Sequence, residues 1–242
     1  MLLPRPVFHR LVLLLGLGLF SATAGGADAS AAGQKKGRHG RSGMEIHEVG
    51  VKSLDAFFAD ARDIDDRLDR AQKARRQGRL GINAALGLDR STPLEAAVSE
   101  LKTRARGNLD VVMRGGVPQL AGTDMLPADL VSAVDAVNAA TAGYAGAMKD
   151  LAGIPKRSAS MVRKSRRLPR KLKSHYVDGF DPAQIPQMLK QTSALKHNVK
   201  VVKDLPRRSR HVVRGLNRDM GLLVRAFGGT WPPAGSAGGT GR

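Results

Sequence analysis

The stretch ADLVSAVDAVNAATAGYAGAMKDL, residues 128–151, decides how this chain folds. Within it Leu130, Val134, Val137, Thr141, Tyr144, Met148 and Leu151 recur at spacings of 4, 3, 4, 3, 4 and 3. A helix turning once in about 3.6 residues gathers such positions into one seam, the pattern of a helix lying along another helix. The spacing predicts a helix that opens between Asp124 and Pro127 and runs to about Ala152. Its partner can come from the same chain or from a second copy, so a homo-oligomer joined through the 130–151 seam is one expectation.

Upstream, Leu54, Phe57, Phe58, Ala61, Ile64, Leu68 and Ala71 form another stripe, on a helix expected to start near Ser53 and to fade by Gly78. The opposite face of that helix is rich in aspartate. Thr92-Pro93-Leu94-Glu95 reads as a capping box with proline at the first helical position, opening a helix that carries Leu94, Ala97, Val98, Leu101 and Ala105 and stops at Gly107. Residues 108–126 read as an irregular connection, with a short extended piece from Leu109 to Met113 and turn chemistry at Gly115-Gly116-Val117-Pro118.

Downstream, Pro155, Pro169, Pro182, Pro186 and Pro206 are each expected to begin or kink a helix, since an interior proline costs about 3 kcal/mol. One helix is expected over 186–204, with Ile185, Leu189, Thr192, Leu195, Val199 and Val202 to one side. Another is expected over 207–227, with Val212, Val213, Leu216, Met220, Leu223, Val224 and Phe227 opposite Arg207, Arg210, Arg214, Arg218 and Arg225. Ile154-Pro155-Lys156-Arg157-Ser158, followed by Met161-Val162-Arg163, matches Leu205-Pro206-Arg207-Arg208-Ser209, followed by Val212-Val213-Arg214, at a constant offset of 51. Residues 127–175 and 182–227 can therefore be read as two related helical hairpins following a first portion over 45–107.

Aromatic residues are only 4% of the chain against 42% hydrophobic residues, so the core must be Leu, Val, Ile, Met and Ala, a mixture that suits helices. The expected fold is all-α, a bundle of five or six helices over residues 45–227. Residues 1–24 have the form of a secretory signal peptide, with Arg5 and Arg10, an apolar run from Leu11 to Phe20, and Ala22-Thr23-Ala24. That run is shorter than the roughly 20 residues of a membrane span, so the chain is expected to be exported, to the periplasm or beyond the cell, with no transmembrane span after cleavage. Residues 25–44 read as a flexible basic linker and residues 228–242, around Trp231-Pro232-Pro233, as a disordered tail. With no cysteine, disulfides, thiolate catalysis and cysteine metal sites are excluded.

Charge is segregated along the chain. Residues 45–152 carry 14 basic and 16 acidic residues, whereas residues 154–227 carry 19 basic and four acidic ones. Nine cations lie between residues 156 and 173 with no carboxylate among them. Like charges on adjacent turns repel, so such a run calls for an anionic counterpart unless it is simply a solvated face. The candidate anion-binding residues are Arg157, Arg163, Lys164, Arg166, Arg167, Arg170, Lys171, Arg207, Arg210, Arg214 and Arg218. The expected partner is an anionic lipid or an acidic envelope polymer. Nucleic acid suits the charge as well, but export and the lack of aromatics interleaved with the cations count against it. If internal aspartates matched those guanidinium groups one for one, the expectation would fall.

Chemistry beyond charge is scarce. The histidines, His9, His39, His47, His175, His197 and His211, fall into no metal-binding spacing, and no nucleophile elbow or phosphate-cradling glycine loop is present. Asp63, Asp65, Asp66 and Asp69 lack the loop that would make them a calcium site. No catalytic, cofactor or metal residue is assigned. The leading reading is a non-catalytic, exported helical protein; the alternatives are a helical small-molecule binder or enzyme with an inter-helix pocket, and an oligomeric scaffold.

Overall fold

In the computed structural model, which describes residues 44–177 and 182–232, the seam at 130–151 lies on one helix, α3 (Ala128–Asp150). The readings of residues 1–24, of nearly all the 25–44 linker and of the tail beyond residue 232 lie outside the described residues. The fold is mostly helical. Among the described residues it comprises α1 (Lys52–Ala85), α2 (Leu94–Ala105), the strands β1 (Asp110–Arg114) and β2 (Val117–Ala121), α3, α4 (Ile154–Ser165), α5 (Leu168–Val177) and α6 (Ile185–Ala226). Short 3-10 turns at Thr123–Met125 and Pro182–Gln184 complete it. No helix among the described residues is long and apolar enough to cross a membrane.

The seam is used inside the chain. Leu130, Val134, Val137, Thr141, Tyr144 and Leu151 are all buried, with α1 as the principal neighbour of α3. Little of it remains to face a second copy. Tyr144 Oη donates to the Arg75 carbonyl (3.1 Å), and Gly78 packs against Tyr144 and Ala140, so the two helices run antiparallel. This contact explains why α1 continues to Ala85 instead of fading at Gly78. A Cβ at residue 78 would stand 2.7 Å from Tyr144 Oη and 2.9 Å from its ring, so the glycine admits a close crossing and is not a helix stop.

The chain then turns through residues 86–93 into α2. The expected cap at Thr92 is not made; the helix begins at Leu94 with no side-chain cap. Asn83, wholly buried on α1, takes the loop instead, donating its amide to the carbonyls of Asp89 (3.0 Å) and Thr92 (2.9 Å).

Residues 108–126 are more regular than their composition implies. β1 and β2 form an antiparallel hairpin in which Arg114 pairs with Val117 around Gly115-Gly116. Both glycines have positive φ, 58° and 79°, the two-residue turn whose twist suits a hairpin. Asn138 of α3 lies against the outer edge of β2, accepting from Leu120 N (2.7 Å) and donating to Leu120 O (3.1 Å). Beyond α6, Gly229 N bonds to Val224 O (3.0 Å) and Trp231 packs against the core, so the first residues assigned to the tail are part of the folded unit.

α6 runs 42 residues without interruption, about 63 Å at 1.5 Å per residue. It packs on α1, α2, α3, α4 and α5. Pro155, Pro169 and Pro186 sit in first turns and Pro182 opens a 3-10 turn, but Pro206 lies inside α6, where a break between two helices was expected. Packing on both sides of it holds the helix together. Leu205 is buried, and the hydroxyls of Ser209 and Ser158 meet at 3.3 Å in the α4–α6 contact. The two hairpins suggested by the 51-residue offset are not formed, because α4 turns away from α3 to pack on α6 and α1, and the second segment is one continuous helix.

Gly78→Ala is expected to destabilise the protein by about 1–3 kcal/mol through overpacking against Tyr144, despite a gain of about 1 kcal/mol in helix propensity. Gly81→Ala, whose Cβ would meet nothing within 4 Å, is expected to stabilise it by up to about 1 kcal/mol. Denaturant unfolding of the two variants measures both, and equal effects would remove the packing argument.

Candidate functional site

Whether the cations are available to a ligand depends first on how many carboxylates the fold supplies. Three arginines are committed to carboxylates of the chain, two at the helix interface and one, Arg157, at the surface. Arg208 of α6 spans Asp65 and Asp69 of α1. Arg75 of α1 holds Asp219 of α6 through two bonds, Nε to Oδ2 at 2.5 Å and Nη2 to Oδ1 at 3.0 Å. Arg157 of α4 lies 3.4 Å from Asp60 and 3.6 Å from Asp63. The aspartate-rich face of α1 therefore receives α4 and α6 and is not merely solvated.

Asp65 is wholly buried and also accepts the Met44 N–H at 2.8 Å. Burial raises its carboxyl above the ordinary value of 3.8, outweighing the Met44 N–H and the Arg208 charge; Asp69 and Asp66 push the same way. The Asp219 bond acts oppositely on its partner and keeps the Arg75 guanidinium more firmly charged. Tyr144, buried and close to Asp219, is pushed up to about 12.

Apart from Arg157, the candidate cations are little used. Arg207 lies 3.6 Å from Asp204 on the solvent side, and Arg218 Nε lies 3.5 Å from Asp219 Oδ1. Arg210 donates to the Pro206 carbonyl at 3.1 Å. Arg163, Lys164, Arg166, Arg167, Arg170, Lys171, Arg210 and Arg214 are exposed and form no ion pair with any described residue. Opposite them, Ile154, Ser158, Met161, Ser165, Leu168 and Leu172 are buried at spacings of 4, 3, 4, 3 and 4, so α4 and α5 turn one stripe inward and their cations outward. Matching one for one by internal aspartates does not occur among the described residues.

A second group of cations converges where the sequence did not direct attention. Between α5 and α6 lies a half-open groove of about 460 Å³. Leu172 and Tyr176 of α5 and Met188, Leu195 and Val199 of α6 wall it, and Lys173, Lys196, Lys200 and Lys203 line it as well. Tyr176 Oη donates to Gln191 Oε1 and ties the two helices together beside it. At the same end α6 carries two exposed apolar side chains one turn apart, Ile185 at 39% and Leu189 at 61% exposure. Both belong to the stripe expected over 186–204, whose later members Leu195 and Val202 are buried. Lys196, Lys200 and Lys203 recur at spacings of 4 and 3 beside Leu195, Val199 and Val202, a lysine stripe flanking an apolar one. That spacing was the available signal.

His47 packs on His197 with ring centroids 4.4 Å apart, and no cluster of three or more potential metal-ligating side chains occurs among the described residues. Its role is in a strap. Residues 44–50 run without regular structure beside α1 and α6, held by Asn198, which donates to His47 O (2.7 Å) and accepts from His47 N (2.9 Å), and by Asp55, which accepts Val49 N (2.8 Å).

A raised carboxyl means that the fold favours neutral Asp65, so its contribution to stability is complete below the ordinary value of 3.8 and is lost as pH rises through the raised one. Asp65→Asn stays neutral and keeps an acceptor for Met44. Between about pH 3 and about pH 7 the stability of this variant relative to the parent chain is therefore expected to rise. Thermal unfolding of both proteins across that range measures it; a relative stability that falls with pH would contradict the burial argument.

No family model matches this chain, and neither the curated proteins nor the solved structures contain a match to it.

Proposed function

We propose that this chain is a non-catalytic, exported helical protein that binds an anionic phospholipid surface through its basic C-terminal half. The observation that carries the reading is the α5–α6 groove, which four lysines and apolar side chains line together. An aliphatic chain suits those walls, and a phosphate at its head suits the ammonium groups, which attract an anionic surface by about 1 kcal/mol each. Leu189 and Ile185 stand beside the groove as apolar anchors for the region just below the headgroups. The unmatched cations of α4 and α5 extend the positive surface. An acidic polymer would use the same cations but has no need of the apolar walls or of Leu189.

Co-sedimentation of the full chain with phosphatidylglycerol vesicles is expected to show binding that weakens as salt rises, and little binding to phosphatidylcholine. Lys196→Gln, Lys200→Gln and Lys203→Gln together are expected to lower vesicle affinity on the order of 100-fold. Leu189→Asp should lower it too. Equal binding to both vesicle types, or binding indifferent to salt, would overturn the proposal. Full retention by Leu189→Asp would reassign the surface to a soluble polyanion.

A further inference from the structure

A second cavity, of about 500 Å³, opens between α1, the start of α2 and α6, and it is lined by four arginines, Arg75, Arg76, Arg79 and Arg218. Only two carboxylates, Asp219 and Glu95, share it. Asp219 is occupied by Arg75, and Gly215 leaves room for that pair, since a Cβ there would stand 2.7 Å from Arg75 Nη1. Arg75 is thereby fixed and largely neutralised. Arg218 retains a single long contact to Asp219, and Glu95 forms no ion pair with a described residue.

Arg79 is the telling residue. Its Nε is shut off from solvent and has no hydrogen-bond partner, and its guanidinium forms no ion pair with any described residue. A shielded donor left unpaired is costly, and three guanidinium groups facing one cavity repel each other. An oxyanion within the cavity answers the repulsion by accepting from the outer guanidinium nitrogens, while the Arg79 Nε, closed to solvent, serves only to hold that guanidinium in place. A carboxylate offers two oxygens in one plane, whereas a phosphoryl group offers three or more in a tetrahedral array, which suits guanidinium forks approaching from different helices. Arg76 and Arg79 approach from α1 and Arg218 from α6.

We infer that the cavity between α1, α2 and α6 is a phosphoryl-binding site, separate from the lysine groove, with Arg76, Arg79 and Arg218 as the binding residues and the Arg75–Asp219 pair holding their helices in position. It takes a phosphate-bearing solute or the phosphate of a lipid headgroup. This site stands or falls independently of the α5–α6 groove.

Titration calorimetry of the full chain with inorganic pyrophosphate, alongside binding to phosphatidate vesicles, distinguishes the two sources. Saturable 1:1 binding of pyrophosphate assigns a soluble ligand. Binding confined to phosphatidate vesicles, measured with Lys196→Gln/Lys200→Gln/Lys203→Gln present throughout to silence the groove, and lost when Arg76→Gln/Arg79→Gln is added, assigns a lipid headgroup. In either case Arg76→Gln/Arg79→Gln is expected to weaken binding at least tenfold with an unfolding midpoint no lower than that of the parent chain, since it removes the mutual repulsion, while Lys196→Gln/Lys200→Gln leaves pyrophosphate affinity as it was. Arg79→Lys keeps the charge but loses the fork, and should fall between the parent chain and the double variant. Absence of binding to both probes, or an Arg76→Gln/Arg79→Gln variant that binds like the parent chain, overturns the assignment. So does equal weakening of pyrophosphate binding by the lysine variant, which would mean that the anion sits on a diffuse positive surface.

Discussion

Two ionic contacts between the same pair of helices set the geometry on which the rest of the molecule depends. Arg208 reaches Asp65 and Asp69, and Arg75 reaches Asp219. Ten residues of α1 separate the aspartate Asp65 from Arg75, and eleven residues of α6 separate Arg208 from Asp219, so α1 and α6 run parallel and in a fixed register. Apolar burial alone would tolerate sliding by a turn; directional pairs of opposite polarity at two levels do not. The strap at residues 44–50, α4 and the arginine cavity all take their positions from that register. The same commitment divides the cations into two populations, those that assemble the protein and those that remain for a ligand.

The two segments related by an offset of 51 illustrate how one residue redirects a shared pattern. In both, a serine hydroxyl donates to the proline carbonyl three residues earlier, Ser158 to Pro155 at 2.9 Å and Ser209 to Pro206 at 3.1 Å. The two serines then meet in the interior. Arg157 and Arg208, which precede them, both turn to aspartates of α1. Before the first proline stands Gly153, in the left-handed region at φ 76°, and the chain bends there. At the matching position stands Asp204, and the helix continues without a break. Glycine reaches that conformation without steric cost and aspartate does not reach it as freely, which is enough to separate a bend from a continuous helix.

Periodicity made the helical class, the α3 seam and the amphipathic second half of α6 legible in the sequence, because burial there follows spacing alone. What stayed hidden was tertiary. Gly78 looks like a terminator until Tyr144 is seen lying on it, and Pro206 looks like a boundary until α4 is placed against α6. The charge segregation was plain, yet the residues that converge on cavities were mostly others. Of the candidate cations Arg218 lines the α1–α2–α6 cavity, beside Arg75, Arg76 and Arg79, whereas it is Lys173, Lys196, Lys200 and Lys203 that line the groove. A count of charges along a chain shows where cations are dense; which of them face a common space is decided by helices distant in sequence.

Both strands of the hairpin are outer strands, the kind of element that can recruit strands from other molecules. Along the outer side of β2 the outward positions alternate, so Pro118 and Leu120 share it. Proline has no N–H to offer, and the amide of Asn138 already occupies both backbone groups of Leu120. A foreign strand arriving there would find two successive rungs of the ladder closed, so a single side chain on α3 and one imino acid together shut the β2 side of a small sheet against growth into fibres.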